Sequence, residues 1–449
     1  MNNCEATNHA ARLAARLPPG MEGWPDWFDG KKINEVLFCE EFLQEHPMLC
    51  VHDAFFTAEG RVMDETMLKK EILDRIKPYV TSGVAKRAAN LLDALRMECW
   101  SPPLPVYQDR VHVANGTLFL NGTFSEAKDF CINRLPVRYA PDAPPPVKWL
   151  AFLTDLLEPD DILTLQEFMG YCLIPSTKGQ KMLIITGRGG EGKSRLGLVL
   201  RSLLGQNMNT GSIAKVETSP FARADLEHQL LLVDDDMKLE ALPQTNHIKA
   251  IVTAELPMDL EKKGKQSYQG QLYVRFIGLG NGTLHSLYDR SVGFFRRQII
   301  LTAKERSAGR VDDPFIGEKM CSEAEGIFLW ALEGLRRLIA NHYRFTISQQ
   351  AQENMKAAVA DGNNIVEFMR STGYISFEAD ASASSRDLYA AYKLWCEDNA
   401  YNALSMKSFC NYLNQSAGSH GISHTNNIYI GGGRRSRGFT GLRVLARQF

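Results

Sequence analysis

The stretch Lys181–Leu204, KMLIITGRGGEGKSRLGLVLRSLL, decides the fold. An apolar run is followed by a glycine-rich loop and then by apolar residues at three- and four-residue spacing, which predicts strand, loop and helix in that order. Within it GRGGEGKS, Gly187 to Ser194, fits the P-loop pattern G-x-x-x-x-G-K-[ST]. Backbone N–H groups wrap a polyphosphate only where side chains are absent and φ can turn positive, and Gly187, Gly189, Gly190 and Gly192 supply both conditions. Arg188 and Glu191 fill the remaining loop positions. Lys193 then brings an ammonium to the β/γ-phosphates, Ser194 offers a hydroxyl to Mg²⁺, and the start of the following helix adds its partial positive charge. ATP with Mg²⁺ is the expected ligand. The alternative, a glycine turn with a solvated lysine, does not account for the strand and helix patterns on either side.

Downstream, the apolar run Gln229–Val233 ends in Asp234, Asp235 and Asp236. An acidic strand end after a P-loop suits a Walker B site, with Asp234 holding the Mg²⁺ hydration shell, Asp235 polarising water, and Asp236 as substitute. A solvent-facing acidic terminus is the alternative. A hairpin tip carrying Lys262, Lys263 and Lys265 suits either nucleic-acid phosphates or simple solubility. Asn281 leaves an apolar strand where it can orient water, or where it simply begins an Asn-Gly turn. Arg296 and Arg297 precede the apolar run Gln298–Leu301. They read as surface charges or, in an oligomeric ATPase, as groups reaching a neighbour's nucleotide.

At 449 residues the chain holds about three domains. Its 44% hydrophobic and 23% charged residues are ordinary for a globular protein. The net charge of −1 hides an asymmetry, because no acid follows Asp398 while Lys407, Arg434, Arg435, Arg437, Arg443 and Arg447 do. Nine cysteines without a CxxC pair argue against a disulfide framework or zinc knuckle and fit a reducing cytoplasm. The N-terminus lacks the apolar core of a signal peptide, and no apolar run is long enough to span a membrane, so no membrane partner is expected.

The expected fold is α/β with accessory domains. Residues 1–30 read as a leader and 31–145 as a mostly helical N-terminal domain. The latter carries hairpin signals at Asn115-Gly116 and Asn121-Gly122 and ends at the proline-rich linker Pro141–Pro146. Residues 146–361 read as the ATPase domain. Three helical patterns and a Gly/Arg-tipped ribbon over 362–449 describe a winged helix, with Lys407 and Asn411 facing a groove and Arg434, Arg435 and Arg437 on phosphates. A protein-binding winged helix is the alternative.

Taken together, GRGGEGKS, LLLVDDD, LEKKGK, FIGLGN, GFFRRQIIL and the terminal DLYAAYKLWC with RRSRGFTGL resemble the motifs of superfamily 3 helicases. More closely, they resemble the helicase half of phage and plasmid primase-helicases related to the poxvirus helicase-primase. The resemblance extends upstream through ANGTLFL, NRLPVRYAPDAPPPVKWLAFL and LQEFMGYCLIP. It implies an AAA+-like ATPase core forming a homo-hexameric ring that translocates 3′ to 5′ on single-stranded DNA and opens forked DNA. By the same resemblance Lys262, Lys263 or Lys265 touches DNA, Asn281 is the sensor, and Arg297, with Arg296 second, is the finger acting in trans. Relatives that are primases carry a further polymerase domain upstream. The expectation is therefore a replicative helicase of a mobile element in a bacterial cytoplasm, served by a separately encoded primase or polymerase. An ATP-gated initiator or scaffold that binds an origin without unwinding it is the other reading.

Overall fold

The computed structural model describes residues 23–237, 245–264, 266–281, 292–306, 313–362, 364–399, 401, 403–429 and 435–445. At its centre is a parallel sheet of β1 (Met182–Gly187), β2 (Met208–Thr210), β3 (Leu231–Asp234), β4 (Arg275–Asn281) and β5 (Gln298–Thr302), in the order 5-1-4-3-2. β1 is buried along its whole length, as a parallel strand covered on both faces must be. Its side chains alternate between two apolar clusters, Leu183 and Ile185 in one and Met182 and Ile184 in the other. β4 lies between β1 and β3, pairing Asn281 with Gly187 and Gly278 with Asp234. The glycine loop, the acidic strand end and Asn281 thereby meet at the carboxyl edge of the sheet, where open α/β sheets bind ligands.

Four helices position that edge: α1 (Val147–Leu156), α2 (Pro159–Tyr171), α3 (Ser194–Leu204) and α4 (Ala324–Ala340). α1 and α2 break at Glu158-Pro159, where the proline fixes φ and takes the first position of α2. α2 and α4 touch backbone to backbone. A Cβ on Gly170 would lie 2.3 Å from the Ala331 carbonyl oxygen, and one on Gly334 2.3 Å from that of Gln166. Gly334→Ala is therefore expected to cost about 2–3 kcal/mol through overpacking that no rotamer change relieves. The readout is a lower urea midpoint; an unchanged midpoint would reject the close-approach argument.

The N-terminal region has its own core from Trp27 to Cys99, built by the helices Glu35–Glu45, Glu65–Ile76 and Val84–Glu98. Residues 23–30, read from sequence as leader, are tied into it. Trp27 is 1% exposed, packs edge-on against Phe38 and Tyr79, and donates its indole N–H to Glu41 at 3.3 Å. Both Asn-Gly signals mark turns of one antiparallel sheet, with Val113 opposite Gly116 and Leu118 opposite Phe124. Val111, Val113, Leu118, Leu135 and Val137 join the core of Trp149 and β1 instead of that of Trp27. The stretch 31–145 thus contributes to two cores, because the apolar face of a small sheet has to be buried against another element.

The C-terminal unit has a separate core around Phe368, Tyr392 and Phe409. Its helices are α5 (Asn364–Arg370), α6 (Ser385–Asp398) and α7 (Met406–Ser416). The hydroxyls of Ser384 and Ser405 cap the last two, accepting from the N–H of Asp387 at 3.1 Å and of Ser408 at 3.2 Å. The expected ribbon, Ser423–Tyr429 with Arg435–Thr440, gains a third strand, Ser382–Ser384, that its short polar sequence did not announce. Among the described residues no helix is long and apolar enough to cross a membrane.

Candidate nucleotide site

The loop glycines divide by physical role. Gly189, Gly190 and Gly192 have φ of 107°, 84° and 100°, the region that glycine alone enters freely. At Gly187 a Cβ would lie 2.6 Å from a Glu191 carboxylate oxygen and 2.8 Å from Lys193 Nζ, so a side chain there would displace the Glu191–Lys193 pair. Lys193 is buried beneath the loop. Its Nζ donates to Glu191 Oε2 at 2.7 Å and to Asn281 Oδ1 at 3.0 Å. Glu191 Oε1 accepts from the backbone N–H of Arg188 and, at 2.7 Å, of Gly189. The Arg188 side chain points elsewhere, to an exposed ion pair with Glu305 at 2.7 Å.

A cavity of about 800 Å³ opens over this loop. Gly190 to Arg195, Asp235 and Asn281 are among the residues that line it. Lys148, Ala151, Phe152 and Asp155 of α1, together with Asp313, Pro314 and Ile316, complete the lining. Sequence reading missed the α1 wall. Its signal was present, since Lys148, Ala151 and Asp155 are small or polar residues at three- and four-residue spacing on a mostly apolar helix.

The three acids separate. Asp235 is exposed and borders the cavity with Ser194 and Lys193. Asp234 is buried, and its Oδ2 accepts the Ile213 N–H at 2.7 Å. Burial pushes the Asp234 carboxyl above its ordinary pKa, against the opposing pull of that hydrogen bond. Asp236 is exposed and does not border the cavity. Among the described residues no three acidic, His or Cys side chains cluster as a metal cage. Mg²⁺ beside a polyphosphate needs only one or two protein oxygens, and Ser194 and Asp235 are oxygen-bearing loop and strand-end residues that line the cavity.

Arg296 and Arg297 lie at the opposite edge of the sheet. β5 begins at Gln298, paired with Met182 at the start of β1, so they stand about 17 Å of strand rise from the loop of their own chain. Lys181 donates to the Arg296 carbonyl oxygen, and burial followed by the Arg296 charge lowers the Arg297 pKa.

The lysine hairpin pairs Met258–Leu260 with Tyr268–Gly270. Its lysines differ. Lys262 Nζ is held by Glu227 at 2.6 Å, an oxygen that also accepts the Tyr268 hydroxyl at 2.6 Å. Lys263 is exposed, and Lys265 falls outside the described residues. In the C-terminal unit Lys407, Asn411, Arg435 and Arg437 are exposed, while Arg434 falls outside the described residues.

Residues 185–297 match a family of unknown function, DUF5906, and residues 361–429 match the Poxvirus D5 protein-like family. An apo structure of the NrS-1 C-terminal region superposes with a TM-score of 0.52 at 12% identity, over 91% of this chain and 99% of that one. An A-form apo structure of the same region gives 0.51 at 10% identity over the same shares. At such identities the likeness is one of fold. The chain is an α/β protein whose parallel-sheet core is compatible with a P-loop NTPase, distantly linked to the NrS-1 C-terminal region and to Poxvirus D5-like proteins.

Proposed function

We propose that the chain is an ATP-dependent DNA helicase of superfamily 3, an AAA+-like ring ATPase serving replication of a mobile element. The observation that carries this reading is the convergence of Lys193, Ser194, Asp235 and Asn281 on one cavity, while Arg296 and Arg297 stand at the far edge of the same sheet. A cavity lined by the glycine loop, α1 and Pro314 suits a whole nucleotide, with the phosphates on the loop and the nucleoside against Ala151 and Phe152. Lys193 holds the β/γ-phosphates, Asn281 orients water, and Asp235 polarises it. Ser194 and Asp235 would hold Mg²⁺, which when bound neutralises phosphate charge. Asp234 supports the site by fixing the N-terminus of the helix Ile213–Thr218. Arg297 is too distant to serve its own site and suits the neighbouring site in a homo-hexamer, with Arg296 as its alternate.

On the DNA side, Lys263 is the hairpin contact. Lys262 anchors the hairpin through Glu227 and Tyr268. The C-terminal unit serves as a winged helix that offers Lys407, Arg435 and Arg437 to phosphates. The Poxvirus D5 protein-like match over 361–429 supports this placement.

Strand displacement tests the reading. With ATP, the protein is expected to open a duplex bearing a 3′ single-stranded tail, and Lys263→Ala is expected to slow opening by about an order of magnitude at moderate salt. ATP hydrolysis without displacement would favour an initiator or scaffold instead.

A further inference from the structure

Glu191 occupies a loop position that the phosphate-binding pattern leaves open, yet it is the most heavily engaged side chain in the loop. It is 3% exposed. One carboxylate oxygen takes two backbone N–H groups of the loop and the other takes the Lys193 ammonium. Backbone N–H groups plus one ammonium are the donors a P-loop presents to a phosphate group. Glu191 therefore uses, within its own loop, the kind of donors that a nucleotide requires. Lys193 is only 6% exposed, and its other partner is Asn281, at the end of the neighbouring strand.

We propose that Glu191 is a built-in counter-anion that latches Lys193 and Asn281 together until nucleotide phosphates draw the lysine away. It is a positioning residue acting through Lys193, and it sets the affinity of the site for phosphate. The inference rests on the nucleotide-binding reading above. Burial works to raise the Glu191 carboxyl pKa, but the Lys193 hydrogen bond and the backbone N–H groups outweigh it and keep the group below its ordinary value. The latch is thus ionised at neutral pH.

A residue that merely shapes the loop would make the same contacts, and the two roles differ in the sign of their effect. If Lys193 spends about nine-tenths of its time latched, apparent affinity is reduced about tenfold, and releasing the latch restores it. Calorimetric titration of the full chain with ATP, ADP, inorganic pyrophosphate and adenosine, for wild type and Glu191→Gln, reads that sign. Glu191→Gln is expected to tighten the three phosphate ligands by a common factor of about ten and to leave adenosine unchanged. A thermal melt checks that the variant folds, and Glu191→Ala carries the same test if it does not. Weaker or unaltered phosphate binding in the variant overturns the latch and leaves the nucleotide reading standing. Failure of wild type and variant alike to bind any of the phosphate ligands overturns both.

Discussion

Lys193→Ala is expected to lower ATP hydrolysis by about 10²–10³-fold, the loss that follows removal of one preorganised charged donor from a transition state. Lys193 is already aimed within the site, its ammonium fixed by Glu191 and Asn281. Truncating it also leaves the Glu191 carboxylate buried without its cation, close to where phosphates would sit. Binding should therefore weaken along with turnover. Adding Glu191→Gln to Lys193→Ala should recover part of the binding and none of the hydrolysis, because it removes the stranded charge without restoring the lost one. Steady-state phosphate release and nucleotide titration on the two variants separate these effects. A Lys193→Ala protein that hydrolyses ATP at the wild-type rate would remove the glycine loop from the chemistry.

Arg297→Ala is expected to cost about 10³-fold or more in turnover while nucleotide still binds. The argument is one of distance. The parallel register that pairs Gln298 with Met182 puts Arg297 at the amino edge of the sheet, and the loop begins after Gly187 at the carboxyl edge. No Arg side chain spans that gap, so a catalytic Arg297 must act on a neighbouring subunit. Mixing experiments exploit this: Arg297→Ala subunits doped into wild type should depress activity more steeply than their mole fraction. Strictly proportional loss in assembled protein, or full activity of the variant, would return Arg297 to the role of a surface charge.

Much of the fold was legible because it is written in local patterns. Lys181–Leu204 announces strand, loop and helix, and the three helical patterns read over 362–449 appear as α5, α6 and α7. The Asn-Gly pairs predict two turns, at each of which the glycine takes a positive φ, 151° at Gly116 and 96° at Gly122. Harder to see was how the hairpin of Val111–Phe119 joins the core of the parallel sheet. Short strands carry no label for the surface on which their apolar face will lie. The same holds for Lys262 and Lys263, adjacent in sequence and equal in charge, of which one is claimed by Glu227, 35 residues away in the chain.

The sequence by itself determined that a glycine-rich loop fitting the P-loop pattern, an acidic strand end, a strand-terminal Asn and a paired Arg occur in this order. Each is a property of a few neighbouring residues. Only the tertiary structure decided that Asp235 borders the cavity while Asp234 turns to Ile213, that α1 lines the same cavity, and that Arg297 stands at the far edge. The Lys193–Asn281 hydrogen bond joins residues 88 apart. Contacts of that kind follow from the order and register of parallel strands, which hydrophobic periodicity within any one strand does not encode.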